Sequence, residues 1–131
     1  MMNKTNQHLW KILGCSKMIK RTNEKLWEIL VPVFDDKHRD KHNMEWPVEY
    51  HQKWDQHVRQ IAGGLTINKI VRGIWTCPNT KIIFHEQMIP VRIFCTLKEI
   101  EEIIDFTLKY YDQEAIMCYL ISDTVFIKYK E

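Results

Sequence analysis

The sequence is poor in the residues that mark most chemistries. It holds four glycines, four prolines and four cysteines in 131 residues, and its serines are Ser16 and Ser122 alone. No GxGxxG, Walker loop, GxSxG or HExxH occurs, so the usual phosphate cradles, the nucleophile elbow and the helical zinc motif are missing. Cys15, Cys77, Cys95 and Cys118 are far apart and form no CxxC pair. That spacing argues against a tetrahedral zinc site and against a disulfide scaffold. Free thiols in a reducing cytoplasm are the simpler account. No apolar run approaches the roughly 20 residues that span a bilayer, and the opening MMNKTNQHLWKILGCSK is too weak for a signal peptide. A dominant charge is lacking too: the net charge is +2, with bases scattered among acids rather than striped, which gives no nucleic-acid footprint. The expectation is a cytoplasmic protein without metal, cofactor, nucleic acid or membrane.

What is present is one domain's worth of chain with 45% hydrophobic residues, enough for a single core. Residues 1–23 are rich in Lys, Asn and Thr and read as a flexible N-terminal extension. Its Trp10 and Leu13 are available to dock on the domain or on a partner subunit, with a disordered tail as the alternative. Residues 24–131 read as a single domain. Lys25–Phe34 (KLWEILVPVF) is nearly continuously apolar, as in a strand covered on both faces, and Pro32 should weaken its pairing. Asp35–Glu45 is a charged loop, and its His38 and His42 have nothing to fix a metal geometry.

Pro47 suits a first helical turn. In Val48–Ala62, His51, Trp54, Val58 and Ile61 share one helical face, and Gly63 can supply a left-handed cap. Leu65–Thr76 reads as a strand in which Gly73 suggests a bulge or a close approach by a ligand. Cys77-Pro78-Asn79-Thr80 is turn chemistry and joins it in a hairpin to Lys81–Cys95. Thr96 and Glu99 form a capping box. The helix behind them has the apolar face Leu97, Ile100, Ile103, Ile104, Thr107, Leu108 and Tyr111. Ala115–Ile121 and Thr124–Tyr129 are further strands. The order is β-α-β-β-α-β with an added terminal strand, an α+β ferredoxin-like sandwich with two helices on one face of an antiparallel sheet. Apolar residues on both alternations of the strands predict that the other face is covered as well, most simply by another copy of the chain.

One residue conflicts with its surroundings. Glu86 stands between His85 and Gln87 inside KIIFHEQMIPVRIFC, with Arg92 further along. A carboxylate in a core strand costs several kcal/mol unless it is paired or bound to something. Exposure to water is the plain alternative. With the aromatic face of Trp75 near by, such a carboxylate can hold a cationic or ribose-bearing ligand. The Gly63-Gly64-Leu65-Thr66 turn is the remaining candidate.

Several of these pieces together resemble a known family. GGLT (Gly63–Thr66), GIW (Gly73–Trp75), an acid shortly before PVRIFC (Glu86, then Pro90–Cys95) and YDQEAIMCYLIS (Tyr111–Ser122) are similar to the small phage enzymes that destroy S-adenosylmethionine. Those enzymes were long called hydrolases and are better described as lyases. The resemblance implies a PII-like homotrimer with ligands in clefts between subunits. It places Glu86 where the family has its essential, catalytic glutamate. Gly64, Thr66, Trp75, His85 and Arg92 become candidate substrate-binding residues. Trp75 stands where the family has a tyrosine, so the hydroxyl is lost, and the family's paired acids appear here as Glu86-Gln87. The implied reaction cleaves S-adenosylmethionine to methylthioadenosine and homoserine lactone, depleting the methyl donor of host restriction-modification. A PII-like binding module for a nucleotide or other small molecule, without turnover, is the alternative. A third reading is an interaction protein that uses the basic extension as its contact arm.

Overall fold

A computed structural model describes residues 18–20 (as backbone), 23–35 and 44–130. Trp10, Leu13, His38 and His42 lie outside the described residues. The elements are β1 (Met18–Lys20), β2 (Glu24–Pro32), α1 (Val48–Ala62), β3 (Thr66–Ile67), β4 (Val71–Thr76), β5 (Ile83–Thr96), α2 (Leu97–Tyr110), β6 (Cys118–Ser122) and β7 (Phe126–Lys128). The main sheet runs β3-β5-β2-β6, with β4 also on β5, and every pairing is antiparallel. This is the ferredoxin-like α+β plan. The terminal strand does not join the main sheet. β7 pairs instead with β1 in a separate two-stranded sheet, Ile19 opposite Ile127.

Alternation along β2 and β5 sends Ile29, Val31, Val91, Ile93 and Cys95 to the helices. There they pack with Trp54, Val58 and Ala62 of α1, with Ile100 and Ile103 of α2, and with Tyr111 just beyond it. Each such side chain contributes about 1.5–3 kcal/mol by leaving water. Local chemistry sets the helix ends. Gly63 takes the left-handed conformation (φ 88°) and its N–H bonds Arg59 O at 2.8 Å. Thr96 and Glu99 close the capping box, with Thr96 N–H to Glu99 Oε1 at 2.9 Å and Glu99 N–H to Thr96 Oγ1 at 3.2 Å. Trp54 Nε1–H donates to Thr107 Oγ1 at 3.0 Å, which satisfies a buried polar pair between the helices.

The strands correct the expected boundaries at two places. The first strand stops at Pro32, paired with Met88, rather than running to Phe34; a single further bond, Val33 N–H to Gln87 O at 3.2 Å, follows it. The single strand expected over Leu65–Thr76 is broken into β3 and β4. Ile67 pairs with Val91 and Val71 with Met88, so residues 68–70 stand opposite 89–90 with one residue extra. The bulge is therefore at 68–70 and not at Gly73, whose pairing with Glu86 is regular. Pro90 sits at the break and lacks an N–H; Asn68 N–H bonds its carbonyl at 2.9 Å.

Candidate functional site

Where β2 ends, β5 continues beside β4 as a two-stranded arm closed by the turn at 77–82, with Cys77 N–H bonded to Ile82 O at 2.9 Å. The connection from α2 to β6 is drawn toward the end of β2, since Leu30 N–H donates to Met117 O at 3.0 Å. Between the arm and this connection lies a cavity of about 560 Å³. Leu30 and Pro32 line it from β2, Trp75 from β4, Glu86 and Met88 from β5, and Gln113, Ala115, Ile116, Met117 and Cys118 from the far wall. Its volume suits a small ligand, and its lining is apolar with few polar groups, as in most small-molecule sites.

Register explains the grouping. Val71, Gly73 and Trp75 face Met88, Glu86 and Phe84, so all six side-chain positions share the sheet face opposite the helices. Trp75 is 39% exposed and Glu86 half-buried. Burial pushes the Cys118 thiol up to about 11, so it stays protonated at neutral pH.

The predicted site residues divide. Trp75 and Glu86 come together in this cavity. His85 does not join them: alternation turns it to the opposite face of the arm, opposite Ile74, where it is exposed. Gly64 is buried behind the end of α1, and Thr66 is exposed on β3 opposite Arg92. Neither lines the cavity. Arg92 Nε is 3.2 Å from Glu28 Oε1, and the Tyr119 hydroxyl donates to the other oxygen, Glu28 Oε2. Glu28 is 8% exposed, and that hydrogen bond is the first cause raising the Tyr119 pKa. This triad sits further along the same sheet face. A second, more open hollow of about 540 Å³ is lined by Gln52, Asp55, Gln56, Arg59, Leu65 and Ile67; of the candidate Gly63–Thr66 turn it takes in Leu65, and it takes in none of the other predicted residues.

Sequence reasoning did not single out Gln113, Met88 or Met117 as site residues, and it missed Glu28 and Tyr119 as the partners of Arg92. Glu28 carried a usable signal, an acid inside the apolar run KLWEILVPVF, of the same kind that singled out Glu86. Among the described residues no cluster of three or more His, Cys, Asp or Glu could hold a metal ion, and no helix is long and apolar enough to cross a membrane.

No family model matches the chain, and no curated protein matches it either. Solved structures do. A phage SAM lyase in complex with S-methyl-5'-thioadenosine superposes with a TM-score of 0.57 at 11% identity, over 82% of this chain and 92% of that one. The ferredoxin-like, PII-like fold is shared. CutA from Synechococcus elongatus gives 0.55 at 11% identity, over 82% of each chain. The divalent cation tolerance protein of Thermus thermophilus gives 0.54 at 10%, over 75% of this chain and 82% of that one. At such identities the likeness establishes the fold and leaves activity to the residues.

Proposed function

We propose that this protein is an S-adenosylmethionine lyase that works as a homotrimer in the cytoplasm of a bacterial host, its cavity completed by a neighbouring subunit. One observation carries the reading. The cavity gathers residues of three stretches far apart in sequence, GIW, the Glu86 strand and the Gln113–Cys118 part of YDQEAIMCYLIS, which are three of the four on which the family resemblance rests, GGLT standing apart. The fold shared with a phage SAM lyase adds support. The apolar side chains left open on the arm, Ile70, Val71, Ile74 and Ile83, give a neighbouring copy something to cover.

The chemistry asks little of the protein. The methionine carboxylate of the substrate attacks its own γ-carbon. The C–S bond breaks, its electron pair returns to sulfur, and methylthioadenosine leaves as a neutral thioether beside homoserine lactone. Opposite charges merge in that step, so a dry apolar pocket favours it over water, and holding the substrate folded supplies much of the acceleration. Trp75 offers the stacking face and cation–π surface for the sulfonium nucleoside. Glu86 orients the ammonium or ribose groups and does not act as a base. Arg92 belongs to the Glu28 triad, and His85 is left to the outer face of the arm.

Incubation of the purified protein with S-adenosylmethionine tests this directly. Methylthioadenosine should accumulate with wild type and fall by about 100-fold in Glu86→Gln, as expected for loss of a group that positions the substrate. No product from wild type, or full activity in Glu86→Gln, refutes the reading. A binding module without turnover is the second reading, favoured by the equal likeness to CutA; calorimetric binding of the substrate without product would establish it.

A further inference from the structure

Gly73 is a glycine that its backbone does not require. Among the described residues the glycine with positive φ is Gly63, and Gly73 lies in regularly paired strand, opposite Glu86. A strand interior disfavours glycine, which has no side chain to pack. The requirement comes from space. A Cβ on residue 73 would stand 2.6 Å from Met88 Cε, 3.1 Å from Trp75 Nε1 and 3.7 Å from Trp75 Cε2. The first distance is one that real side chains essentially never show, and the second is tighter than most. Two cavity-lining side chains, one from each strand of the arm, thus converge on the bare backbone of this residue. Its cross-strand partner is the third, Glu86.

We infer that Gly73 is a positioning residue for the cavity: its missing side chain is the seat into which Trp75 and Met88 fold back, which keeps the space above Glu86 open for a flat, purine-bearing ligand. The inference rests on the proposed function for the identity of that ligand, but not for the geometry. A methyl group at this position has to be accommodated by movement of the neighbours. The Met88 methyl, at the end of a flexible chain, moves first, and the cavity that Met88 lines gives it room. The indole follows by a few tenths of an ångström. A merely structural glycine would behave otherwise, because replacing it in a strand would leave the cavity side chains where they are.

The test uses Gly73→Ala in the full chain, with two readouts. The first needs no ligand. The Trp75 indole N–H resonance, assigned by its loss in Trp75→Phe, and the Met88 ε-methyl resonance should both shift, while the Trp54 indole in the core stays in place. Unmoved Trp75 and Met88 signals overturn the inference, as does a shift of Trp54 together with them. The second readout is calorimetric binding of methylthioadenosine, expected to weaken about tenfold, as overpacking of a filled site does. Adding Met88→Ala removes the 2.6 Å conflict and should restore most of the affinity. Affinity unchanged in Gly73→Ala also overturns the inference. If wild type binds no methylthioadenosine, the functional reading fails, and the resonances alone decide the role of Gly73.

Discussion

Both halves of β5 carry an isoleucine and a phenylalanine, and they meet opposite circumstances. From Met88 to Thr96 the strand has β2 along one side, and Val91, Ile93, Phe94 and Cys95 are buried. From Ile83 to Gln87 it pairs with β4, and Ile83 is 58% exposed. An isoleucine is therefore no guide to burial by itself, since Ile93 is buried and Ile83 is not; the neighbouring strands decide. Those neighbours change where β2 ends at Pro32, opposite Met88, with one further bond from Val33 N–H to Gln87 O at 3.2 Å. The same contrast governs the two carboxylates of the open face. Glu28, in the flanked half, is held between Arg92 and Tyr119, as a buried charge must be. Glu86, in the arm, borders a cavity.

The largest break in this comparison should come from truncating each half. Ile93→Ala is expected to lower the urea-unfolding free energy by about 2–5 kcal/mol, and Ile83→Ala by no more than about 0.5 kcal/mol. Equal losses would mean that the arm is packed as tightly as the core. Next in size is the exchange of the carboxylates. Glu28→Gln takes the charge from Arg92 and leaves one acceptor oxygen for two donors, Arg92 and Tyr119, at a cost of about 1–2 kcal/mol once the half-exposed guanidinium is discounted. Glu86→Gln should melt as wild type does while losing turnover, which separates a structural acid from a functional one.

The smallest effect concerns pH and belongs to the helix side. Burial lowers the His51 pKa from its ordinary 6.5, and its Nδ1 lies 2.6 Å from the Tyr111 hydroxyl. Burial also raises the Tyr111 pKa, so that phenol keeps its proton and donates it to neutral His51. The unfolded chain takes up a proton that the folded chain resists. The contribution is thus fully present above about pH 6.5 and is lost as the pH falls through the lowered folded value. Thermal midpoints measured from pH 7.5 to 5 should show this decline, and His51→Gln should flatten it.

Much of the fold was legible because it rests on local chemistry. Thr96 and Glu99, Pro47 and Gly63 each mark an end by a hydrogen bond or a backbone angle that neighbours in sequence decide. The meeting of Trp75 with Glu86 was legible in outline, since the turn at 77–80 sets the hairpin. The rest depended on partners distant in sequence. The break between β3 and β4 is imposed by Pro90 across the sheet, and the pairing of β7 with β1 joins the two ends of the chain. The side on which His85 falls follows from strict alternation beside Glu86, which adjacency in sequence conceals. Gly64 and Thr66 are close to the site in the motif and apart from it in space, because the strand that follows them leads to Arg92 rather than to the cavity.

One feature of the helix layer bears on how the cavity wall can move. Tyr50, near the start of α1, donates its hydroxyl to Tyr110 O at the end of α2, and Tyr110 donates its own to Tyr50 O at 2.8 Å. Their rings stack with centroids 4.0 Å apart. Each tyrosine thus gives its hydroxyl to the backbone carbonyl of the other, so two side-chain bonds cross one seam. The wall that supplies Gln113–Cys118 starts directly after this clasp, so it is anchored as part of the helix pair and not as a free loop. A ligand that presses on it is working against the seam between two helices. Widening that side has both of these bonds to work against.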